Sequence, residues 1–149
     1  MAKAAQIDAW AEHAAQSLAA AGYRRGGARR AILELLGGQG CALSAQDIEE
    51  RLRGSERVVG RATVYRVLEE LEGLALVARV EVGDGVARYE PRHPDGRHHH
   101  HHLLCDRCGK LVPFGDEELE RAIGAVARRV DFDVSGHDVT LHGVCARCR

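Results

Sequence analysis

Aromatic side chains are scarce in this chain: Phe, Trp and Tyr together make up 4% of 149 residues, with a single Trp. Any core must therefore be aliphatic, and a small aliphatic core gains from an added staple. Long apolar runs are missing as well. No stretch approaches the roughly 20 residues needed to span a bilayer, and the first helical segment is alanine-rich and interrupted by charge. No secretory leader is recognisable, so the chain reads as soluble and cytoplasmic, a compartment that disfavours disulfides. Excess charge is also lacking. A formal net charge of −1 gives no global electrostatic footprint of nucleic-acid binding, so any such binding is local. No constellation of nucleophile and base stands out, and no catalytic residue is assigned.

What is present is concentrated. Five consecutive histidines, His98 to His102, lead through Leu103 and Leu104 into Cys105-Asp106-Arg107-Cys108, and a second such pair, Cys145 and Cys148, lies at the end of the sequence. A purification tag sits at a terminus, whereas this run is internal and abuts a Cys-x-x-Cys pair. Two Cys-x-x-Cys turns supply the four thiolates of a tetrahedral structural Zn²⁺ site, each turn chelating from one side. The spacer between the pairs is long enough for a full helix, so the site staples the two ends of a small domain. Histidine is a different ligand type. In an extended segment alternate side chains face opposite ways, so His99 and His101 point to one side and His100 and His102 to the other.

The N-terminal part is patterned for helices. Ile7, Trp10, Ala11, Ala14, Leu18 and Ala21 recur at helical spacing before Gly22. Four arginines follow within seven residues (Arg24, Arg25, Arg29, Arg30), around Gly26-Gly27. A second helix carries Ile32, Leu33, Leu35 and Leu36. Ser44 to Asp47 resembles a capping box opening a third helix with Ile48 and Leu52 inward. In the next helix Val64, Val67, Leu68 and Leu71 form the buried stripe, and Arg61, Thr63, Tyr65 and Arg66 cluster in its first turns, where donors reach phosphates and base edges in a major groove. Val77–Val82 and Val86–Tyr89 alternate as strands around Gly83-Asp84-Gly85, a hairpin signal. Short helices followed by a hairpin predict a winged helix-turn-helix. The arginines at 24, 25, 29, 30, 61, 66, 79 and 88 favour DNA over a generic packing unit.

Glu90 to Arg97 reads as a linker rich in proline, glycine and charge. Beyond it, Asp116–Val130 is expected to be a helix with Leu119, Ile123, Val126 and Val130 as core positions. Phe132–Val134 and His137–His142 are expected as two strands. The predicted class is α+β: an N-terminal winged helix-turn-helix over residues 1–89, a hinge linker over 90–97, and a small α/β dimerisation domain with an antiparallel sheet over 98–149.

These motifs resemble the ferric-uptake-regulator family of bacterial metal-dependent repressors. The residues that carry the resemblance are Ala62-Thr63-Val64-Tyr65-Arg66, the stretch His99 to Gly109, and His137 followed by Gly143-Val144-Cys145-x-x-Cys148. The resemblance implies a homodimer that binds double-stranded operator DNA, away from any membrane, to repress metal uptake or homeostasis genes. It implies structural zinc on Cys105, Cys108, Cys145 and Cys148. A second metal site falls on His99, His101, Glu120 and His137, and a regulatory site on His100 and His102 with Glu90. His93, Cys41 and His98 are candidates for the remaining regulatory ligand, because Ala42 and Ala78 stand where family members place a histidine or an acid; His93 completes the assigned set. Arg24, Arg61, Thr63, Tyr65 and Arg66 are the expected DNA contacts, Arg24 by its place in the N-terminal arm. The corepressor is expected to be Fe²⁺ or Zn²⁺, with Mn²⁺ and Ni²⁺ also suited to nitrogen and oxygen ligands. A peroxide-sensing member of the same superfamily is the alternative, and a zinc hydrolase a more distant one.

Overall fold

The computed structural model describes residues 2–56, 58–94 and 99–149, with side chains from residue 9 onward. The candidate ligand His98 and linker residues 95–97 lie outside the described residues. The chain forms two compact units, Met1–His98 and His99–Arg149.

The first unit opens with α1 (Ala2–Ala20), followed by α2 (Gly27–Gly37), the short β1 (Leu43–Ser44), α3 (Ala45–Arg53), α4 (Arg61–Gly73) and the hairpin β2 (Val77–Glu81) and β3 (Ala87–Pro91). Its core is aliphatic, as the composition requires: Leu18, Ile32, Leu33, Leu36, Ile48, Val64, Val67, Leu68 and Leu71 are almost completely buried. Trp10 joins them, and its indole N–H donates to the carbonyls of Leu76 and Arg92 at 3.3 and 3.1 Å. The capping box at α3 forms as the sequence predicts. Ser44 Oγ accepts from the Asp47 N–H, and the Asp47 carboxylate accepts from the Ser44 N–H at 2.9 Å. Gly83 and Gly85 take positive φ angles of 84° and 77° in the hairpin turn, a conformation that excludes most side chains. β1 was not anticipated; at two residues it is too short to show alternation, and it joins the hairpin in the order β1-β3-β2.

The second unit contains β4 (His101–Cys105), β5 (Leu111–Phe114), α5 (Glu117–Arg129) and β6 (Thr140–Gly143). β5 pairs antiparallel with β4, while β6 runs parallel on its other side, pairing His102 with Thr140 and Cys105 with Gly143. The parallel pairing follows from the crossover through α5, which returns the chain to the same end of the sheet from which β4 starts. Three expectations are corrected here. Residues 132–134 form no strand, and the last strand begins at Thr140 rather than His137. Nor does α5 bury a core stripe: Leu119 and Ile123 are half-buried, but Val126 and Val130 are 49% and 62% exposed. Within the single chain no residue of α5 is fully buried, so the helical periodicity marks an apolar side without a core packed against it. Among the described residues, no helix is long and apolar enough to cross a membrane.

Candidate metal centres and nucleic-acid interface

Two groups of metal-type side chains meet within the second unit. The parallel pairing of β6 with β4 brings the turn after Gly143 beside the turn after Cys105, and so gathers Cys105, Cys108, Cys145 and Cys148. Cys108 Sγ and Cys145 Sγ lie 3.8 Å apart. A tetrahedron with zinc–sulfur bonds of about 2.3 Å has edges of about 3.8 Å, so this spacing suits the ion. Backbone N–H groups of Cys145 and Cys108 aim at Cys105 and pull its thiol down to about 6, whereas the neighbouring thiols of Cys145 and Cys108 push Cys148 up to about 12. A crowd of thiols that cannot all ionise alone is what a divalent ion relieves.

The second group comprises His99, His101, Glu120 and His137. Asp116 caps α5 by accepting from the Leu119 N–H at 2.8 Å, which sets Glu120 in the first turn. The Glu120 carboxylate then approaches His101 Nε2 at 2.6 Å, His137 Nε2 at 3.1 Å and His99 Nε2 at 3.4 Å. His99 Nε2 and His137 Nε2 are 3.0 Å apart. Bonds of about 2.0–2.1 Å to nitrogen and oxygen imply tetrahedral edges of about 3.3 Å, close to these separations. The hydrogen bond from His101, followed by that from His137, holds Glu120 below the usual carboxylate range. All three imidazoles turn the same nitrogen inward, which a network of scattered hydrogen bonds does not require. His101 is 1% exposed, and its buried Nδ1 has no hydrogen-bond partner among the described residues.

The opposite parity is also visible. The rings of His99 and His101 lie 4.8 Å apart, and those of His100 and His102 5.0 Å apart, as two separate pairs. His102 is buried and His100 half-buried. Glu90 lies in β3, opposite Ala78 across the ladder, and His93 follows that strand; both belong to the first unit and are half-buried.

On α4, the apolar stripe packs inward and leaves Tyr65 49% exposed, with Arg61 and Arg66 also exposed and Thr63 half-buried. The eight arginines differ in their surroundings. Arg29 pairs with Glu70, Arg30 with Glu34, Arg61 with Glu49, Arg79 with Glu81, and Arg88 with Asp84. Arg24, Arg25 and Arg66 are exposed and have no carboxylate partner among the described residues. Sequence inspection missed Glu49 and Glu70 because acids on separate helices carry no spacing signal that pairs them with an arginine.

A winged helix-turn-helix and two convergent donor sets in one chain define a metal-responsive, DNA-binding transcriptional regulator. A model of the Ferric uptake regulator family matches residues 20–142. The ferric uptake regulation protein of Bacillus subtilis (strain 168) is 37% identical over 106 residues, covering 71% of this chain and 71% of its own. The peroxide-responsive repressor PerR of Staphylococcus epidermidis is 29% identical over 143 residues, 96% of this chain and 93% of its own. The Helicobacter pylori ferric uptake regulator Fur, whose structure is described as revealing three functional metal binding sites, aligns with TM-score 0.80 at 25% identity over 95% of this chain and 93% of that one. The chain belongs to the ferric uptake regulator family.

Proposed function

We propose that the chain acts as a homodimeric repressor in which residues 1–89 bind operator DNA, residues 90–97 act as a hinge, and residues 98–149 dimerise and hold metal. Cys105, Cys108, Cys145 and Cys148 hold one structural Zn²⁺, and His99, His101, Glu120 and His137 hold a second ion. Glu90, His93, His100 and His102 form the regulatory site, with Fe²⁺ or Zn²⁺ as corepressor and Mn²⁺ or Ni²⁺ as competitors. A bound ion at that site supplies charge neutralisation and a fixed set of ligand directions. Glu90 and His93 tie the end of β3 to the histidines of β4, which sets the angle between the two winged helices of the dimer. Only one such angle places both α4 helices in successive half-sites. The exposed apolar side chains Val126, Val130, Phe132, Val134 and Leu141 support pairing of two second units.

The observation that carries this reading is the meeting of two donor sets at tetrahedral spacing around β4, in a chain whose α4 offers Tyr65 and Arg66 to solvent. Metal analysis before and after mild chelation, paired with DNA binding under each added metal, tests it. One chelation-resistant zinc per chain and DNA binding restored by a particular second metal is the expected outcome. His102→Ala is expected to keep the zinc and weaken metal-dependent binding. DNA binding indifferent to metal would overturn the corepressor assignment.

The similarity to a peroxide-responsive repressor over nearly the whole chain supports a second reading, in which Fe²⁺ at the same site renders a histidine ligand oxidisable. Glutamate rather than aspartate at position 90 weighs against it. Peroxide treatment of the Fe²⁺ form, followed by peptide mass analysis, separates the two: an oxygen atom gained on His93, His100 or His102 together with loss of DNA binding favours the sensor.

A further inference from the structure

Arg29 sits in the first turn of α2, and its guanidinium is engaged on three sides. Nε and Nη2 both donate to Glu70 Oε2 of α4, at 3.1 and 2.6 Å, with the two side chains only 16% and 12% exposed. Nη1 donates to the carbonyl of Arg24. The guanidinium carbon lies 5.7 Å from the centre of the Tyr23 ring, within cation–π range. One side chain thus holds the segment Tyr23–Arg24 and the second half of the DNA-facing helix together. Glu70 follows Arg66 by four residues, about 6 Å of helical rise on the same face. The anchored segment therefore lies on the side of α4 that carries Arg66. Arg29 also takes up one oxygen of this carboxylate, the i+4 neighbour of Arg66.

We propose that Arg29 is a positioning residue for DNA recognition: it clamps the Tyr23–Arg25 arm to Glu70, so that Arg24 and Arg25 reach the same duplex backbone that Arg66 does, and it does not itself touch DNA. This rests on the DNA-binding reading of α4 and of the arm. A planar fork suits the task, because Nε, Nη1 and Nη2 donate from fixed, separate positions to the Glu70 carboxylate and the Arg24 carbonyl, a spread that the compact ammonium of a lysine does not reproduce.

The sign of one substitution separates the clamp from a simple charge effect. Glu70→Gln removes a negative charge near DNA, which electrostatics alone would turn into tighter binding. The clamp instead requires weaker binding, by roughly tenfold if one charge-assisted arm contact is lost, with a salt dependence shallower by about one counterion per contact. The probe is duplex DNA enriched by the metal-loaded full-length wild type from a randomised library, with affinity measured across a salt series. Urea unfolding of each variant checks the fold. In the wild type, Arg24→Ala, an exposed and structurally benign change, is expected to weaken binding by a similar factor; in the Glu70→Gln background it is expected to cost little, because the arm is already loose. Arg29→Lys is expected to behave like Glu70→Gln. Glu70→Gln binding as tightly as wild type or tighter, or full additivity with Arg24→Ala, overturns the clamp and leaves the regulator reading intact. A wild type that retains no duplex with any metal removes the regulator reading itself.

Discussion

Replacing Cys105 with serine is expected to dissolve the second unit while leaving the first intact. Among the described residues of the second unit, only His101, His102, Leu104 and Cys105 are buried in the single chain. Leu104 is the sole aliphatic residue in that set, and burying one leucine contributes about 2–3 kcal/mol. Structural zinc sites in small peptides contribute about 10–16 kcal/mol of apparent binding free energy near neutral pH. The ion therefore outweighs the aliphatic core severalfold, and a serine in the tetrad leaves three thiols in an arrangement that no longer closes. The first unit has its own core around Ile32, Leu36, Val64, Leu68 and Leu71, so it is expected to stay folded. Trp10, the single tryptophan and 2% exposed, reports on that unit alone. The assay is zinc content, tryptophan emission and amide exchange on the same sample. Zinc should fall to background, β4 and β6 should lose exchange protection, and Trp10 emission should remain that of a buried indole. Protected β4 amides in zinc-free Cys105→Ser protein would refute the reasoning, because some other source of stability would then hold the sheet.

Zinc affinity of the stripped protein is expected to rise with pH through neutrality. Cys148, held up to about 12, must release its proton to solvent for the ion to bind its sulfur, and below about 6 Cys105 carries a proton that must be released as well. A chelator-competition series across pH checks the sign, and a flat profile counts against it. Arg66→Ala should lower the slope of log affinity against log salt by about one without altering metal content, as measured by fluorescence anisotropy. Ser44→Ala removes the cap of α3 and should cost about 1 kcal/mol in urea unfolding. Phe132→Asp places a charge on a side chain that is 69% exposed in the single chain, and sedimentation is expected to show a weaker dimer with zinc retained.

The first unit was legible because its signals are local. The spacing of Val64, Val67, Leu68 and Leu71 and the Ser44–Asp47 capping box each occupy a few consecutive residues, and both appear as expected. The alternation of the histidines was legible for the same reason, since a strand has a period of two. Non-local features were not. The parallel course of β6 depends on a crossover, and nothing in residues 137–142 encodes the direction of a neighbouring strand. The stripe on α5 has the pattern of a core, and hydrophobic periodicity does not distinguish a side chain covered by its own chain from one covered by another. Arginines are the sharpest case. Five of the eight are held in ion pairs, a difference invisible in a count of basic residues.

The histidine run has a consequence for how the chain tolerates changes in length. Ligand positions on β4 are set by counting back from Leu103, because the pairing with β5 and β6 fixes the strand from that end. Five identical residues precede Leu103, and four of them, His99 to His102, stand at assigned or proposed ligand positions. An inserted histidine would leave every one of those positions filled and only lengthen the connection to the first unit. A single deletion would shorten that connection and still leave four. A mixed sequence of the same length would lose its ligand faces at the first slip, since a shift by one exchanges the two sides of a strand. The repeat makes the donor sets indifferent to a one-residue error and confines its effect to the connection upstream.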